Sequence, residues 1–412
     1  MNFCKLTETE YKNFLDKHAL KTFLHTPNIG KIREKDNWNY EFLGIKENNN
    51  IIAATMLLSR KEFLGKKEFF AIRGFLIDYN NYSLLSFFVD NIKQYIKKNN
   101  GFILRIDPYL IKQERDINGN IVENGKNNFD VIKNLEQLGF YERESEQAKW
   151  MFVLDIKDKS IEQLLKEMKP NTRNSINKTF KENLVIRELN YDELDKFVKI
   201  TDDTSERRNF TNKNLEYYQD MFNLFGDEVK FVVAELHTKE YLELLEAELK
   251  NENKILSTFN KKNEKNAGKI KEQEIKIKGV EDRIKEAKEL IKIDDVIILS
   301  AAMFILYGDE VIYFSSGNYK KYMHFCAQYR IQYEMIKYGS ENNFKLYNFY
   351  GISGNFDEKD SRYGVYKFKK GFNGYVVELI GEYKLPINKF YYFLYNIINL
   401  IKSSIKKIIR KW

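Results

Sequence analysis

The segment Tyr347–Asn388 reads YNFYGISGNFDEKDSRYGVYKFKKGFNGYVVELIGEYKLPIN and contains two apolar runs with the composition of β-strands. These runs, Tyr347–Ile352 and Tyr375–Ile380, are bounded by glycines, as strands often are. Between them the sequence predicts a polar loop with several glycines, which ends in the dense run Lys367–Phe372. Glycine lets a backbone approach a ligand closely, and alternating Lys and Phe place positive charge beside a flat apolar wall. The segment predicts either a binding site or, more simply, a basic loop that joins two strands.

The spacing within this segment resembles that of the FemABX family, whose aminoacyltransferases build the cross-bridges of peptidoglycan. In that family a tyrosine-rich strand ends in a Gly-rich turn, and the block Gly-x-Tyr-x-Phe-Lys-x-Gly-Phe follows. A further strand and a Gly-Glu-aromatic-x-Leu-Pro sequence complete the pattern. Here the two blocks occupy Gly364–Phe372 and Gly381–Pro386, with Val365 where the family usually has leucine. The resemblance covers nearly the whole chain and is clearest over Val296–Asn388.

The composition is that of a folded protein with a moderate positive charge. The 412 residues are 43% hydrophobic and 15% aromatic, enough for two domains or for one domain with a long insertion. Two scattered cysteines and four histidines show no disulfide or metal-site spacing, so we expect a reducing compartment and no cofactor. The start lacks a signal-peptide pattern, and no apolar run reaches the about 20 residues of a membrane span. A cytoplasmic protein is expected, and its net charge of +8 permits a nucleic-acid or phospholipid partner.

Two rounds of alternating strands and helices follow one another along the chain. The first round includes a predicted strand at Phe69–Leu76, and the second a predicted long helix at Tyr319–Gly339. This pattern alone predicts an α/β or α+β protein with two units. The family resemblance implies two tandem GNAT-like acyltransferase modules. Module 1 would comprise 1–146, and module 2 would comprise 147–238 and 296–389.

The segment 239–295 interrupts the second module with a different composition. Apolar residues recur there at spacings of three and four in two stretches, which the polar run NKKNEKNAG separates. The pattern predicts an antiparallel coiled-coil hairpin with its turn at 260–268 and arms of roughly 30 Å, at 1.5 Å per residue. A helical arm at this point also matches part of the resembled family. A coiled coil between two chains remains the alternative.

The end of the chain, 390–412, predicts an amphipathic helix. Its apolar residues fall on one helical face, and Lys402, Lys406, Lys407, Arg410 and Lys411 gather mainly on the other. Such a helix fits the surface of an anionic bilayer, although its first half is equally suited to packing on the protein. We expect the helix to be docked at its start and to touch the cytoplasmic face of the membrane at its end.

The family resemblance implies which residues carry the chemistry. An aminoacyl ester on tRNA would be attacked by the side-chain amine of a peptidoglycan stem peptide. Lys369 matches the family lysine that stabilises the tetrahedral oxyanion, and Phe368 is the neighbouring wall residue. Asp107 matches the family aspartate after a strand and is the candidate proton acceptor. An aspartate that accepts backbone hydrogen bonds in a turn is nearly as good an interpretation, because an ordinary carboxylate is a poor base for an amine.

Two further family positions imply a site for the phosphates of the acceptor, either lipid II or UDP-MurNAc-pentapeptide. Arg33 ends a motif in which four usual residues are changed, and Lys213 stands where an arginine is usual. Tyr217 and Tyr313 match substrate-contacting tyrosines. An arginine gives bidentate contacts to phosphate and a lysine acts as a point charge, so these departures affect the phosphate site itself.

The donor would meet a basic helix of the second module. Its cations are suited to tRNA phosphates, although a solvated charged face is more common. The four cations are Lys169, Arg173, Lys178 and Lys181.

Two other functions were weighed against this one. An acyl-CoA-dependent N-acyltransferase normally carries a Gly-rich pyrophosphate loop, which this sequence lacks. A non-enzymatic coiled-coil scaffold would not need the intact Phe368–Lys369 pair. The sequence therefore favours a tRNA-dependent aminoacyltransferase that adds Gly, Ala or Ser to the interpeptide bridge.

Overall fold

The computed structural model describes residues 1–260 and 266–409, in which fifteen strands are present. The strands are β1 (Asn2–Lys5), β2 (Asn39–Glu47), β3 (Asn50–Lys61), β4 (Lys67–Ala71), β5 (Gly101–Ile106), β6 (Ile111–Glu114), β7 (Tyr141–Arg143), β8 (Trp150–Asp155), β9 (Val185–Glu188), β10 (Val229–His237), β11 (Val296–Tyr307), β12 (Glu310–Asn318), β13 (Leu346–Gly351), β14 (Tyr375–Leu379) and β15 (Glu382–Pro386).

Thirteen α-helices lie in the same part of the chain. They are α1 (Glu8–Leu15), α2 (Pro27–Lys35), α3 (Tyr82–Lys98), α4 (Phe129–Gln137), α5 (Ile161–Glu167), α6 (Pro170–Lys181), α7 (Leu194–Arg208), α8 (Leu215–Phe225), α9 (Thr238–Thr258), α10 (Ala267–Ile291), α11 (Ala327–Glu341), α12 (Tyr363–Lys370) and α13 (Lys389–Ile409).

The strands form two sheets. Sheet A has the order β1-β2-β3-β4-β5-β15-β7, and sheet B has the order β6-β14-β8-β13-β12-β11-β10-β9. Most neighbours are antiparallel, but each sheet contains one parallel pair, β4 with β5 and β12 with β13. This arrangement of helices and sheets confirms the predicted mixed α/β class.

The two sheets exchange strands. β6, from the first part of the chain, pairs with β14 in sheet B. β15, from near the end of the chain, pairs with both β5 and β7 in sheet A. A cut near residue 147 would therefore remove a strand from each sheet, so the two halves of the fold depend on each other.

A shared apolar core joins the sheets. Tyr11 and Phe70 from the first part of the chain belong to the same buried cluster as Phe197, Phe231 and Met303 from the second. Separate clusters cover the outer face of each sheet. Burial of large aromatic side chains is the main stabilising term in such a core.

Helices α9 and α10 occupy the segment for which a helical hairpin was predicted. Arg283 donates to Glu248 at 2.7 Å, and the Gln273 amide donates to the backbone oxygen of Glu252 at 2.9 Å. At the base of the pair, Leu245 and Ile284 enter the core of sheet B. Residues 261–265 of the predicted turn lie outside the described residues.

Three predicted elements differ from the structure. The loop predicted before Lys367–Phe372 is partly helical, because α12 begins at Tyr363. The sequence did not indicate the buried face of α12, because one of the buried positions is a lysine. The strand predicted at Phe69–Leu76 ends at Ala71, since Arg73 adopts the left-handed conformation with φ 57°. The helix predicted at Tyr319–Gly339 is interrupted at Cys326, whose φ is 58°.

A buried ion pair fixes β15 in sheet A and generates a stability prediction. Arg105 donates to Glu382 at 3.0 Å and lies 3.7 Å from Glu68, with all three side chains almost fully buried. Replacing Arg105 by leucine leaves the buried carboxylate of Glu382 without its hydrogen-bonded cation, which costs about 3–5 kcal/mol in comparable cases, while Glu68 keeps its pair with Arg60 at 2.6 Å. We expect Arg105→Leu to lower the midpoint of urea unfolding strongly.

The matched control is Lys285→Gln on α10, because the pair of Lys285 with Asp282 is exposed. That change is expected to leave the midpoint nearly unchanged, since exposed pairs contribute little. An unchanged midpoint in Arg105→Leu would show that β15 does not depend on the ion pair.

Candidate active site

The candidate active site lies where the parallel strands β12 and β13 separate. Their pairing covers Glu310–Ile312 and Leu346–Asn348 and stops there. β12 also carries a bulge, because Met303 pairs with Ser315 while Phe304 pairs with Tyr313. Bulges of this kind often re-aim side chains beside active sites. Sheet B is therefore open between the two strands beyond Asn348.

Lys369 reaches the end of β13 from α12. Its Nζ donates to the backbone oxygens of Gly351 at 2.7 Å and of Tyr350 at 3.3 Å, at the end of β13. Only 5% of Lys369 is exposed. A protonated lysine has three N–H donors, so two are used by these carbonyls and one remains for a ligand.

The surroundings of Lys369 destabilise its protonated form. Burial lowers the pKa of Lys369 to about 7, with no contribution from a carboxylate of the described residues. The group is therefore not held in a salt bridge there, and near neutral pH a nearby negative charge would raise its protonated fraction.

Asp107 lies at the corresponding point of sheet A, where the parallel pair of β4 and β5 ends. Its Oδ1 accepts the backbone N–H of Arg73 at 2.5 Å, and its Oδ2 lies 3.6 Å from Nη1 of Arg73. Oδ2 is buried and accepts no hydrogen bond from the described residues. Burial raises the pKa of Asp107 to about 7, although the Arg73 guanidinium opposes this. Asp107 thus holds the left-handed turn with one oxygen, and its other oxygen is buried beside the Arg73 guanidinium.

Tyr350 connects these groups. The Arg73 guanidinium interacts with its side chain, and the backbone oxygen of Tyr350 accepts from Lys369. The Tyr350 ring lies 5.3 Å from the ring of Phe314, the residue displaced by the bulge. Tyr350 itself has a left-handed φ of 61°, uncommon for an aromatic residue. Lys369 and Asp107 are therefore each linked to the same tyrosine.

Arg33, Lys213 and Tyr217 come together between α2 and α8. Lys213 Nζ lies 5.1 Å from the centre of the Tyr217 ring. Burial raises the pKa of Tyr217, and the charge of Arg33 opposes this shift, so the two groups lie close enough to interact. Arg33 is half-buried and Lys213 is exposed. Two cations beside a tyrosine are a chemically suitable site for phosphate.

A cavity of about 200 Å³ lies between the sheets and shares residues with the site. Arg73 and Tyr350 line it together with Glu310, Asn348 and Tyr109. Glu310 accepts from Asn348 at 2.9 Å and from the Tyr109 hydroxyl at 3.3 Å. Enclosure of its carboxylate raises the pKa of Glu310.

Phe368 and Tyr313 lie on the other face of sheet B. The Phe368 ring packs 4.9 Å from Tyr329 and 5.4 Å from Phe372. The Tyr313 hydroxyl is hydrogen-bonded to the Ser316 hydroxyl at 2.5 Å and donates to Oε1 of Gln328 at 3.2 Å, and burial raises the pKa of Tyr313 to about 12. Tyr313 is thus separated by the sheet from the cluster around Arg33, and its role stays a prediction.

The basic helix α6 keeps only part of its charge available. Arg173 donates to the backbone oxygens of Met168 and Lys166, and Lys178 donates to that of His324 at 2.6 Å. Lys169, at the start of the helix, lies close enough to Lys370 of α12 to lower the pKa of the Lys370 ammonium, after the larger effect of burial.

Several residues of the site were not predicted from the sequence. Arg73 is one charged residue between apolar neighbours and just before a glycine, a signal that could have marked a turn beside a ligand. Glu310 and Asn348 carry no comparable signal, because single polar residues in strands are common. Tyr350 lies in the predicted strand Tyr347–Ile352, but its left-handed backbone has no sequence signature.

The model of the FemAB family matches residues 6–400 of the chain. Aminoacyltransferase FemA of Staphylococcus epidermidis is 32% identical over 418 residues, which cover 98% of this chain and 100% of that protein. FemA of Staphylococcus aureus is also 32% identical, over 419 residues with the same coverage. The crystal structure of FemX has the same fold, with a TM-score of 0.74 at 22% identity over 96% of this chain and 99% of that chain.

The lowered pKa of Lys369 generates a prediction about stability. Between about pH 7 and its ordinary value of 10.5, the unfolded chain binds a proton at Lys369 that the folded protein does not. The free energy of unfolding attributable to this group therefore rises with pH across that window, by up to about 1.4 kcal/mol per pH unit. Lys369→Met removes the effect, so its stability relative to the natural protein should be greatest below pH 7 and should decline towards pH 10.

Denaturant unfolding at several pH values measures this difference. Lys367→Met, an exposed lysine of the same helix, controls for the loss of a lysine from α12. A difference between Lys369→Met and the natural protein that does not change with pH would contradict a buried lysine that titrates near neutrality.

Proposed function

Because the chain belongs to the FemAB family, we propose that it is an aminoacyltransferase that adds an amino acid to a peptidoglycan precursor and so builds the interpeptide bridge. The donor is an aminoacyl-tRNA, and the acceptor is the side-chain amine of the stem peptide. Both FemA relatives carry the name aminoacyltransferase, and they match this chain over almost its full length. The reaction is placed in the cytoplasm, where charged tRNA is available.

The observation that carries this proposal is the position of Lys369 at the end of β13, where β13 no longer pairs with β12. Two of its N–H groups are held by the carbonyls of Tyr350 and Gly351, which fixes the direction of the third. The burial of Lys369 strengthens its attraction to a developing negative charge, because little water is present to screen it. Lys369 is therefore suited to stabilise the oxyanion formed when an ester carbonyl is attacked.

The donor and the acceptor approach from opposite faces of sheet B. On one face, the aromatic wall of Phe368, Tyr329 and Phe372 lies beside α6 and suits the aminoacyl end of the tRNA. On the other face, Arg33 and Lys213 suit the phosphates of the acceptor. The gap in sheet B beside Tyr350 would let the acceptor amine approach the carbonyl carbon of the donor ester. The reaction requires these two groups to be held in contact.

The reaction is balanced without a cofactor. The acceptor nitrogen forms a bond to the ester carbonyl carbon, and the carbonyl oxygen becomes an oxyanion facing Lys369. The bond from this carbon to the ribose oxygen of tRNA then breaks, and the amide remains on the acceptor. The acceptor ammonium loses one proton before attack, and the attacking amine loses another that ends on the departing hydroxyl.

Asp107 is the candidate for the first of these protons. Its raised pKa makes it a better acceptor than an ordinary carboxylate, because the pKa lies closer to the working pH. Oδ2 accepts no hydrogen bond from the described residues, and Arg73 holds the carboxylate in place. The raised pKa supports this role, whereas the hydrogen bond from the backbone N–H of Arg73 supports the alternative role of Asp107 in a turn.

The direct test is to incubate the purified protein with lipid II and a mixture of charged tRNAs. Mass spectrometry of the product is expected to show one or more added amino acid residues on the stem peptide. Parallel incubation with UDP-MurNAc-pentapeptide compares the two forms of acceptor. No mass increase with either acceptor would refute the proposed function.

The charge of Lys369 predicts the pH dependence of transfer. If protonated Lys369 stabilises the oxyanion and deprotonated Asp107 accepts a proton, kcat/KM should pass through a maximum near pH 7, with a falling limb above it where the free enzyme loses the proton of Lys369. Lys369→Met should lower kcat/KM by at least about 100-fold and abolish the falling limb, because removing one oxyanion donor costs that much elsewhere.

Lys367→Met is the matched control and should keep both the rate and the falling limb. A natural enzyme whose kcat/KM instead rises through pH 7, with that limb lost in Lys369→Met, would identify Lys369 as a base and overturn the oxyanion role.

The cluster between α2 and α8 predicts a selective effect on the acceptor. Arg33→Met and Lys213→Met should each raise KM for a phosphate-bearing acceptor at least about tenfold, since a hydrogen bond to a charged group contributes about 1.5–3 kcal/mol. An acceptor that lacks the phosphates should respond little to either change. Lys31→Met is the control, because Lys31 pairs with Glu8 at 3.3 Å on the outside of α2. Equal losses with both acceptors would place these cations away from the phosphates.

A further inference from the structure

Helix α13 exposes an apolar stripe that no described part of the protein covers. Phe390 is 64% exposed, Phe393 62%, Ile397 37% and Ile401 55%. Their spacing of three and four residues places them on one side of a helix. Large apolar side chains that are exposed as a contiguous row commonly mark an interaction surface.

The opposite side of α13 is fixed to the first sheet. Tyr395 packs 5.2 Å from the Phe102 ring of β5 and 5.9 Å from Phe63. Tyr392 is hydrogen-bonded to Tyr141, and Lys66 Nζ lies 4.5 Å above the ring of Tyr391. The helix therefore cannot turn its stripe inward without losing these contacts, and the stripe is held towards the outside.

The sequence of this helix carries only positive charge. Residues 389–412 contain six lysines and arginines and no aspartate or glutamate. Among the described residues, no helix is long and apolar enough to cross a membrane. An apolar stripe combined with uniformly positive charge is instead the chemistry of a helix that lies in the surface of an anionic bilayer.

We propose that α13 docks the protein on an anionic phospholipid surface, with Phe390, Phe393, Ile397 and Ile401 inserted at the boundary between headgroups and acyl chains. The cations of the same helix would neutralise the lipid phosphates. RNA would be attracted by the positive charge of the helix but offers no apolar surface for the stripe. A second copy of this chain offers an apolar surface, but its positive charge would repel that of the helix. The lipid surface is the partner that uses both features.

This inference also bears on the acceptor, and in that respect it rests on the proposed function. A protein held at a lipid surface meets a lipid-linked precursor at a much higher local concentration than a dissolved one. Docking therefore favours lipid II over the nucleotide-linked precursor as the natural acceptor.

The first experiment measures binding without any substrate. The full-length protein is sedimented with vesicles of phosphatidylcholine alone and with vesicles of equal parts phosphatidylcholine and phosphatidylglycerol. We expect binding to the anionic vesicles at least tenfold tighter, weakened by high salt. The variant Phe390→Gln/Phe393→Gln/Ile397→Gln should lose at least tenfold in affinity with an unchanged melting temperature, because these side chains are exposed.

The matched control removes three exposed aliphatic side chains elsewhere. Ile121, Ile275 and Ile293 are each at least 60% exposed and lie outside α13. The variant Ile121→Gln/Ile275→Gln/Ile293→Gln should bind vesicles like the natural protein. Equal losses in both triple variants, or no binding to anionic vesicles, would overturn the proposal.

Two further measurements decide between partners. The double variant Lys406→Gln/Lys407→Gln should weaken vesicle binding. If the natural protein binds no vesicles and this variant instead weakens binding to uncharged tRNA, the surface is an RNA site and the proposal fails. The triple variant Phe390→Gln/Phe393→Gln/Ile397→Gln is called the stripe variant. If sedimentation velocity shows a dimer that the stripe variant abolishes, and the natural protein binds no vesicles, the stripe is a contact between two copies and the membrane proposal fails.

The second experiment separates this inference from the proposed function. Transfer is measured to lipid II in anionic vesicles and to dissolved UDP-MurNAc-pentapeptide. The stripe variant should lose at least tenfold in rate with lipid II and keep its rate with the dissolved acceptor. Equal rates for the variant and the natural protein with lipid II would refute the docking role alone, whereas no transfer to either acceptor would refute the function and leave the vesicle result standing.

Discussion

The separation of β12 from β13 is the constraint on which the site depends. Beyond Ile312 and Asn348 the two strands no longer pair, so backbone carbonyls at the end of β13 need another donor. Lys369 supplies it by donating to Tyr350 and Gly351. One side chain thus satisfies the opened sheet and places an amine between its two faces. An apolar residue at this position would leave these carbonyls without their donor, and a lysine on the surface would not reach them.

The burial of Lys369 reduces the stability of the folded protein near neutral pH. Burial disfavours its charged form, so near neutral pH the folded protein either loses this charge or is destabilised by it. Asp107 is in the opposite situation, since burial favours its neutral form while Arg73 favours its charged form. Two groups whose pKa values are moved from opposite directions towards neutrality are typical of sites that move protons or stabilise transient charge.

What the sequence could predict depended on whether a feature was local. The block around Lys369 and the two stretches of α9 and α10 have fixed spacings, so both were recognisable in one dimension. The helical state of α12 was not, because one of its buried positions is a lysine and the apolar period is broken there. The left-handed Arg73 was missed since its conformation depends on Asp107, which is 34 residues away in the chain. The exchange of β6 and β15 between sheets is likewise set by distant pairing, which no local pattern records.

The exchange of β15 also links the proposed membrane helix to the chemistry. β15 pairs with β5, the strand that leads directly to Asp107, and α13 follows β15 after only two residues. Tyr395 of α13 packs on Phe102 of the same strand. The orientation of α13 is therefore fixed relative to Asp107 through a single strand and its neighbour, with no intervening linker. A surface that binds α13 would set the direction in which the cavity between the sheets faces.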